Sequence, residues 1–163
     1  MKLAITGSPG VGKTSVGKAL AKHYSLKFWN EKDFGLKKGI GKWDDEENEL
    51  VVDERELEKA LNEEFAKEKD ILVEGHLICE TNLKVDYLIL LRCDPELLEM
   101  RLEKRGYKAE KVQDNVFCEG IDYCKKHAER NYAAGKIIEV NSGKTLKETM
   151  GIIITELEKR LAK

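Results

Sequence analysis

The segment Gly7-Ser8-Pro9-Gly10-Val11-Gly12-Lys13-Thr14 carries the spacing G-x-x-x-x-G-K-[ST], a loop built to hold the phosphates of a nucleoside triphosphate. Glycine at positions 7, 10 and 12 admits backbone conformations that turn consecutive N–H groups inward around a β-phosphate. Lys13 would span the β- and γ-phosphates, and the Thr14 hydroxyl would ligate Mg²⁺. The alternative is a glycine-rich turn that binds nothing. Its flanks argue against that: an apolar strand from Leu3 to Thr6 precedes it, and Val16, Ala19, Leu20 and Tyr24 follow on one helical face.

A second group of residues has chemistry of its own. Ile71-Leu72-Val73-Glu74-Gly75-His76 reads as an apolar strand ending in a carboxylate, which suits Glu74 to hold Mg²⁺ or its water. The period of two along an extended chain puts His76 on the side of Glu74, where imidazole could orient water or an acceptor; a loop histidine capping a carbonyl fits the pattern equally well. Arg101 and Arg105 lie four apart, so both guanidinium groups leave one helix face, suited to migrating phosphoryl charge or simply to the helix dipole. No N-K-x-D guanine-reading motif is present, and Asn141-Ser142-Gly143-Lys144 would offer backbone groups to a purine edge or form a plain turn.

The elements that must position these groups alternate. Apolar runs at Leu3 to Thr6, Leu26 to Trp29, Ile71 to Glu74, Tyr87 to Arg92 and Ile137 to Val140, with helical patterns between them, predict an α/β fold with a doubly wound parallel sheet. Asp94-Pro95 starts a helix that Gly106 ends, and Thr145 to Glu148 is a capping box. Residues 33 to 54 and 106 to 115 break the pattern as charged or polar insertions, candidates for covering a substrate.

Composition sets the remaining bounds. A length of 163 residues, 41% hydrophobic, fits a single domain. A formal net charge of −2 gives nonspecific nucleic-acid binding no support from bulk electrostatics. Cys79, Cys93, Cys118 and Cys124 contain no C-x-x-C pair and read as reduced thiols. Met1-Lys2 runs straight into the first strand, and no apolar run approaches the roughly 20 residues that cross a bilayer. A soluble, cytoplasmic protein without membrane association is the expectation.

Taken together the residues resemble the nucleoside monophosphate kinases, specifically the adenylate kinase isoenzyme 6 family with its archaeal members. The resemblance rests on Gly7 to Ser15, on Trp43 to Glu47 followed by Asp53-Glu54, on Glu74-Gly75-His76, and on Arg101 to Tyr107 with Asp114-Asn115 and Cys118-Glu119. It implies a five-stranded sheet, a monophosphate-binding region near residues 30 to 53 and a lid near 104 to 114. It implies ATP held by Gly10, Val11, Gly12, Lys13, Thr14 and Ser15, with Arg105 reaching it from the lid and Lys144 beside the base. Asp33, Lys37 and Lys38 would serve the monophosphate, although the family's arginine is missing there and Leu36 stands in the region. Glu74 occupies a position that is often Asp in the family.

The favoured activity is Mg²⁺-dependent transfer of the ATP γ-phosphoryl group to AMP or another nucleoside monophosphate, with ATPase activity beside it. A different class of function is an ATP-hydrolysing assembly factor partnered by a small-subunit ribosomal protein, as members of the family resemble. A small-metabolite kinase is a third possibility.

Overall fold

The computed structural model describes residues 1–143 and 145–163. Five strands, β1 (Lys2–Thr6), β2 (Lys27–Asn30), β5 (Ile71–Glu74), β6 (Tyr87–Arg92) and β7 (Ile137–Asn141), form one sheet in the order β2-β5-β1-β6-β7. Every pairing in it is parallel. Between them run α1 (Lys13–Tyr24), α2 (Glu31–Lys38), α3 (Glu54–Lys67), α4 (Pro95–Lys104), α5 (Ala109–Gly120), α6 (Tyr123–Asn131) and α7 (Leu146–Leu161), and a hairpin of β3 (Lys42–Asp44) and β4 (Glu49–Val51).

The expected α/β class and the five strands are as the apolar runs predict. Successive residues of a strand face opposite sides, so each strand feeds two cores. Leu3, Ile5, Leu72, Ile89 and Leu91 pack under α1, α4 and α7. Ala4, Ile71, Val73, Leu88 and Leu90 pack under α2, α3 and α6.

Both irregular stretches hold regular structure. Residues 33 to 54 contain most of α2 and the hairpin, and residues 106 to 115 are a turn through Gly106 followed by the first half of α5. Their periodicity is faint because little of them is buried: α2 hides only Glu31, Phe34 and Gly35, and α5 only Val112 and Glu119. Helix starts follow their caps. Asp94 accepts from the backbone N–H of Glu96 and Leu97 with proline behind it, and Thr145 accepts from that of Glu148. All four cysteines are free. Among the described residues no helix is long and apolar enough to cross a membrane.

What matters for function is the edge at which these strands end. Thr6, Asn30, Glu74, Arg92 and Asn141 close β1, β2, β5, β6 and β7 on the same edge, since the strands are parallel. In doubly wound folds that edge is where ligands bind.

Candidate active site

The glycine-rich loop spans the gap between β1 and α1. Gly12 adopts φ 98°, a left-handed conformation natural to glycine, and serves as the N-cap of α1 without a side-chain cap and with no acidic residue in the first turn. The first N–H groups of α1 and the positive end of its dipole are thereby left available to an anion. Lys13 Nζ donates to the Ser8 carbonyl at 3.0 Å. Burial pushes the Lys13 ammonium below the usual lysine range, while the Glu74 and Glu31 carboxylates pull the other way. A poorly hydrated cation beside open N–H groups is a strong attractor for phosphate.

Glu74 ends β5 level with Ile5 of β1 and Asn30 of β2. The residue is 1% exposed, and its Oε1 accepts from Thr14 Oγ1 at 2.7 Å and from Asn30 Nδ2. Asn30 works in two directions, because its Oδ1 accepts from the backbone N–H of Lys32 at 2.9 Å and Asp33 at 3.3 Å and so caps α2. The hydroxyl and the carboxylate expected to serve Mg²⁺ are therefore already side by side. Such a sparse oxygen set fits Mg²⁺, which keeps waters and takes phosphate oxygens as its other ligands.

His76 reaches the same cavity as Glu74 by another route than continued strand. Its backbone is helical, φ −78° and ψ −29°, and opens the short 3-10 turn Leu77–Glu80. The imidazole Nδ1 lies 3.0 Å from Glu31 Oε1, and the Glu31 carboxylate also accepts from the backbone N–H of His76 at 3.0 Å. Burial works to lower the imidazole pKa, but the hydrogen bond and charge of Glu31 outweigh it, so the pKa is raised. Gly75 makes this possible, since a Cβ there would collide with the Glu31 carboxylate. Gly75→Ala is expected to expel that carboxylate, costing about 1–3 kcal/mol of stability as other overpacked sites do. Thermal melts would check it, and an unchanged midpoint would refute the crowding.

Two cavities meet across the loop. The larger, about 270 Å³, is lined by Lys13, Thr14, Glu74 and His76 on one side and by Lys32, Trp43, Asn48, Tyr107 and Lys111 on the other. The smaller, about 200 Å³, lies between Gly10-Val11-Gly12 and Arg101, Ser142, Gly143 and Thr149. Gly10, Gly12, Ser15 and Arg105 line both. Arg101 Nη1 stands 3.5 Å from the Gly10 carbonyl and from Ser142 Oγ, and 3.7 Å from Cys93 Sγ. Its guanidinium thus belongs to the loop and not to open solvent. Lys144 lies outside the described residues.

The lysines expected to serve a monophosphate turn elsewhere. Lys37 Nζ sits over the Trp29 ring, and Lys38 Nζ lies 3.5 Å from Glu64 Oε2, while Asp33 is exposed on α2. From the same region it is Lys32, over the Trp43 ring at 4.0 Å, that faces the larger cavity. Opposite it, Lys111 of α5 contacts the Glu47 carbonyl and lies 3.5 Å from Glu49 Oε2, tying α5 to the hairpin. Asn30, Glu31, Lys32, Trp43 and Lys111 were not identified as site residues from the sequence. Asn30 carries a signal of its own, as an N-cap residue ahead of acidic positions, while Lys32, Trp43 and Lys111 fall within the segments 30–53 and 104–114 that the resemblance marks.

Glu64 offers a measurable consequence of this arrangement. A hydrogen bond from Lys27 at 2.9 Å holds its carboxyl below the usual carboxylate range, with burial opposing. A depressed folded pKa stabilises above the unfolded value of about 4.3, and the gain disappears as pH falls through the folded pKa. Glu64→Gln is therefore expected to lower the melting temperature by roughly 3–6 °C at pH 7. The gap should close in melts below about pH 4. A pH-independent gap would contradict the ion-pair account.

Comparison with known proteins follows the same lines. Residues 3–122 match the family model described as AAA domain. A protein of Thermococcus kodakarensis named "Putative adenylate kinase" is 41% identical over 156 residues, covering 94% of this chain and 84% of that one. One of the same name from Methanocaldococcus jannaschii is 38% identical over 143 residues, covering 87% and 77%. In structure, the shikimate kinase of Bacteroides thetaiotaomicron superposes with a TM-score of 0.69 at 17% identity, covering 96% of this chain and 97% of that one, a likeness of fold alone. With the loop, Glu74-Gly75-His76 and the Arg101 to Tyr107 segment in place, the chain belongs to the P-loop family of these archaeal proteins, the adenylate kinase isoenzyme 6 family.

Proposed function

We propose that this protein transfers the γ-phosphoryl group of ATP to AMP, giving two molecules of ADP. One observation carries the reading: two cavities lie on either side of one phosphate loop, and Arg105 lines both. The smaller cavity, with Arg101, Ser142 and Gly143, suits the nucleoside of ATP, and the larger suits the monophosphate between Lys32, Trp43 and Lys111. Thr14 and Glu74 would hold Mg²⁺, which when bound neutralises charge on the phosphates. An acceptor phosphate is already anionic at neutral pH, so the chain's task is positioning and charge neutralisation by Lys13, Arg101 and Arg105. Residues 30–53 and 104–114 would form the monophosphate-binding wall and the lid, with Lys111 bridging them over the acceptor.

The deciding measurement is coupled ADP release from Mg·ATP, alone and with AMP, dAMP, CMP, UMP or GMP. Strong stimulation by AMP, with ADP formed from both nucleotides, is expected. Slow release indifferent to every monophosphate would defeat the kinase reading.

Such indifference would favour the second reading, an ATPase. Its support is the Glu31-held imidazole of His76 beside Glu74, an arrangement able to orient water. A small-subunit ribosomal protein as partner rests on the family resemblance alone; a pull-down with and without ATP tests it, and no binding in either state would count against it.

A further inference from the structure

The last turn of α5 carries a carboxylate that phosphoryl transfer as described does not use. Glu119 is 3% exposed and is not among the residues lining either cavity. Its Oε1 accepts from Arg92 Nε at 2.8 Å and from the Cys93 N–H at 3.2 Å. Its Oε2 turns to the phosphate loop and accepts from Ser8 Oγ at 2.6 Å. The contact joins residues 111 positions apart. A carboxylate this deep needs hydrogen-bond donors, and the loop hydroxyl is one of them.

Ser8 passes the contact on. Its side chain is tied to Glu119, while its carbonyl accepts from Lys13 Nζ at 3.0 Å and from the Val11 N–H at 3.3 Å. Arg92 steadies the far side, donating to the Glu119 carbonyl and pairing with Asp122 and Glu139. Short, charge-assisted bonds of this kind fix geometry more firmly than neutral ones.

We propose that Glu119 is a positioning residue for the phosphate loop: through the Ser8 hydroxyl it fixes the loop's first turn, and with it the carbonyl that holds the Lys13 ammonium, before a triphosphate binds. The loop then does not have to be ordered at the moment of binding, which strengthens affinity for phosphates without a direct contact. The inference rests on the reading that the loop binds a nucleoside triphosphate.

The test is a double-mutant cycle with Ser8→Ala, Glu119→Gln and the pair, at temperatures well below each variant's melting midpoint. Ser8→Ala leaves Glu119 its bonds to Arg92 and Cys93, so the fold is retained; Glu119→Gln keeps an oxygen for those donors and replaces the oxygen that accepts from Ser8 with an amide nitrogen that cannot accept. Calorimetric titration with Mg·ATP is expected to give about a tenfold weaker Kd for Ser8→Ala and for Glu119→Gln alike. Inhibition by tripolyphosphate should weaken in parallel, while adenosine binding stays within about twofold, and the double variant should match Ser8→Ala. Equal losses for adenosine and tripolyphosphate, multiplicative losses in the double variant, or Ser8→Ala binding Mg·ATP like wild type would each overturn the proposal. Failure of the wild type to bind Mg·ATP would instead bring down the nucleotide reading itself, and the proposal with it.

Discussion

Lys13→Ala is expected to abolish turnover, lowering kcat by about 10²–10³-fold or more, while the protein remains folded. The side chain is a half-buried cation that donates to the loop carbonyl of Ser8 and lies in the field of Glu74 and Glu31. Without it those two carboxylates would face incoming phosphates unopposed, so ground-state affinity falls along with transition-state stabilisation. Stability should respond the other way. Burial depresses the Lys13 pKa, which means that the folded state holds its charged form at a cost, and deleting the ammonium removes that cost. Coupled ADP release and a thermal melt on the same preparation separate the two effects. Activity within threefold of wild type would sink the assignment of this loop as catalytic.

How far the residues announce this site depends on the range over which they cooperate. The loop, Glu74 at the strand end and the Arg101/Arg105 pair are local patterns that line the two cavities, while His76 reaches the same place through a helical turn and not along the strand. Strands such as Ile71–Glu74 and Tyr87–Arg92 are legible because a parallel strand buried on both faces is a continuous apolar run. What orients the chemistry is long-range: Asn30 to Glu74 spans 44 positions, Glu31 to His76 spans 45, and Ser8 to Glu119 spans 111. No periodicity encodes such pairs. Lys37 and Lys38 illustrate the converse, since proximity in sequence to the acceptor region says nothing about the helix face that carries them, and Trp29 and Glu64 take both. The sheet itself is shared with a shikimate kinase at 17% identity, so the fold alone names no acceptor; on the proposed reading that choice falls to the α2 end, the hairpin and α5.

Arg105 is where those walls meet the loop, and Arg105→Ala is expected to cut kcat by about 10³-fold with less than about a threefold change in the KM for ATP. Arg101, one helical turn earlier, is drawn to the Gly10 carbonyl and Ser142 on the smaller cavity, so its loss should fall mainly on ATP affinity. Arg105 follows the last turn of α4 and lines both cavities, so on the proposed reading it adjoins both the nucleoside of ATP and the cavity in which Lys13, Thr14 and Glu74 would meet the transferred group. A planar fork can bind two oxygens as charge spreads over the group in flight, and an ammonium cannot. Arg105→Lys should therefore recover no more than about tenfold of the loss. The residue is exposed, so both substitutions should leave stability within about 0.5 kcal/mol of wild type, and a kinetic defect cannot be charged to unfolding. Single-turnover measurement at saturating Mg·ATP and AMP isolates the step. A kcat within threefold of wild type in Arg105→Ala would mean that the charge in transit is met elsewhere, and the two-cavity reading would lose its pivot.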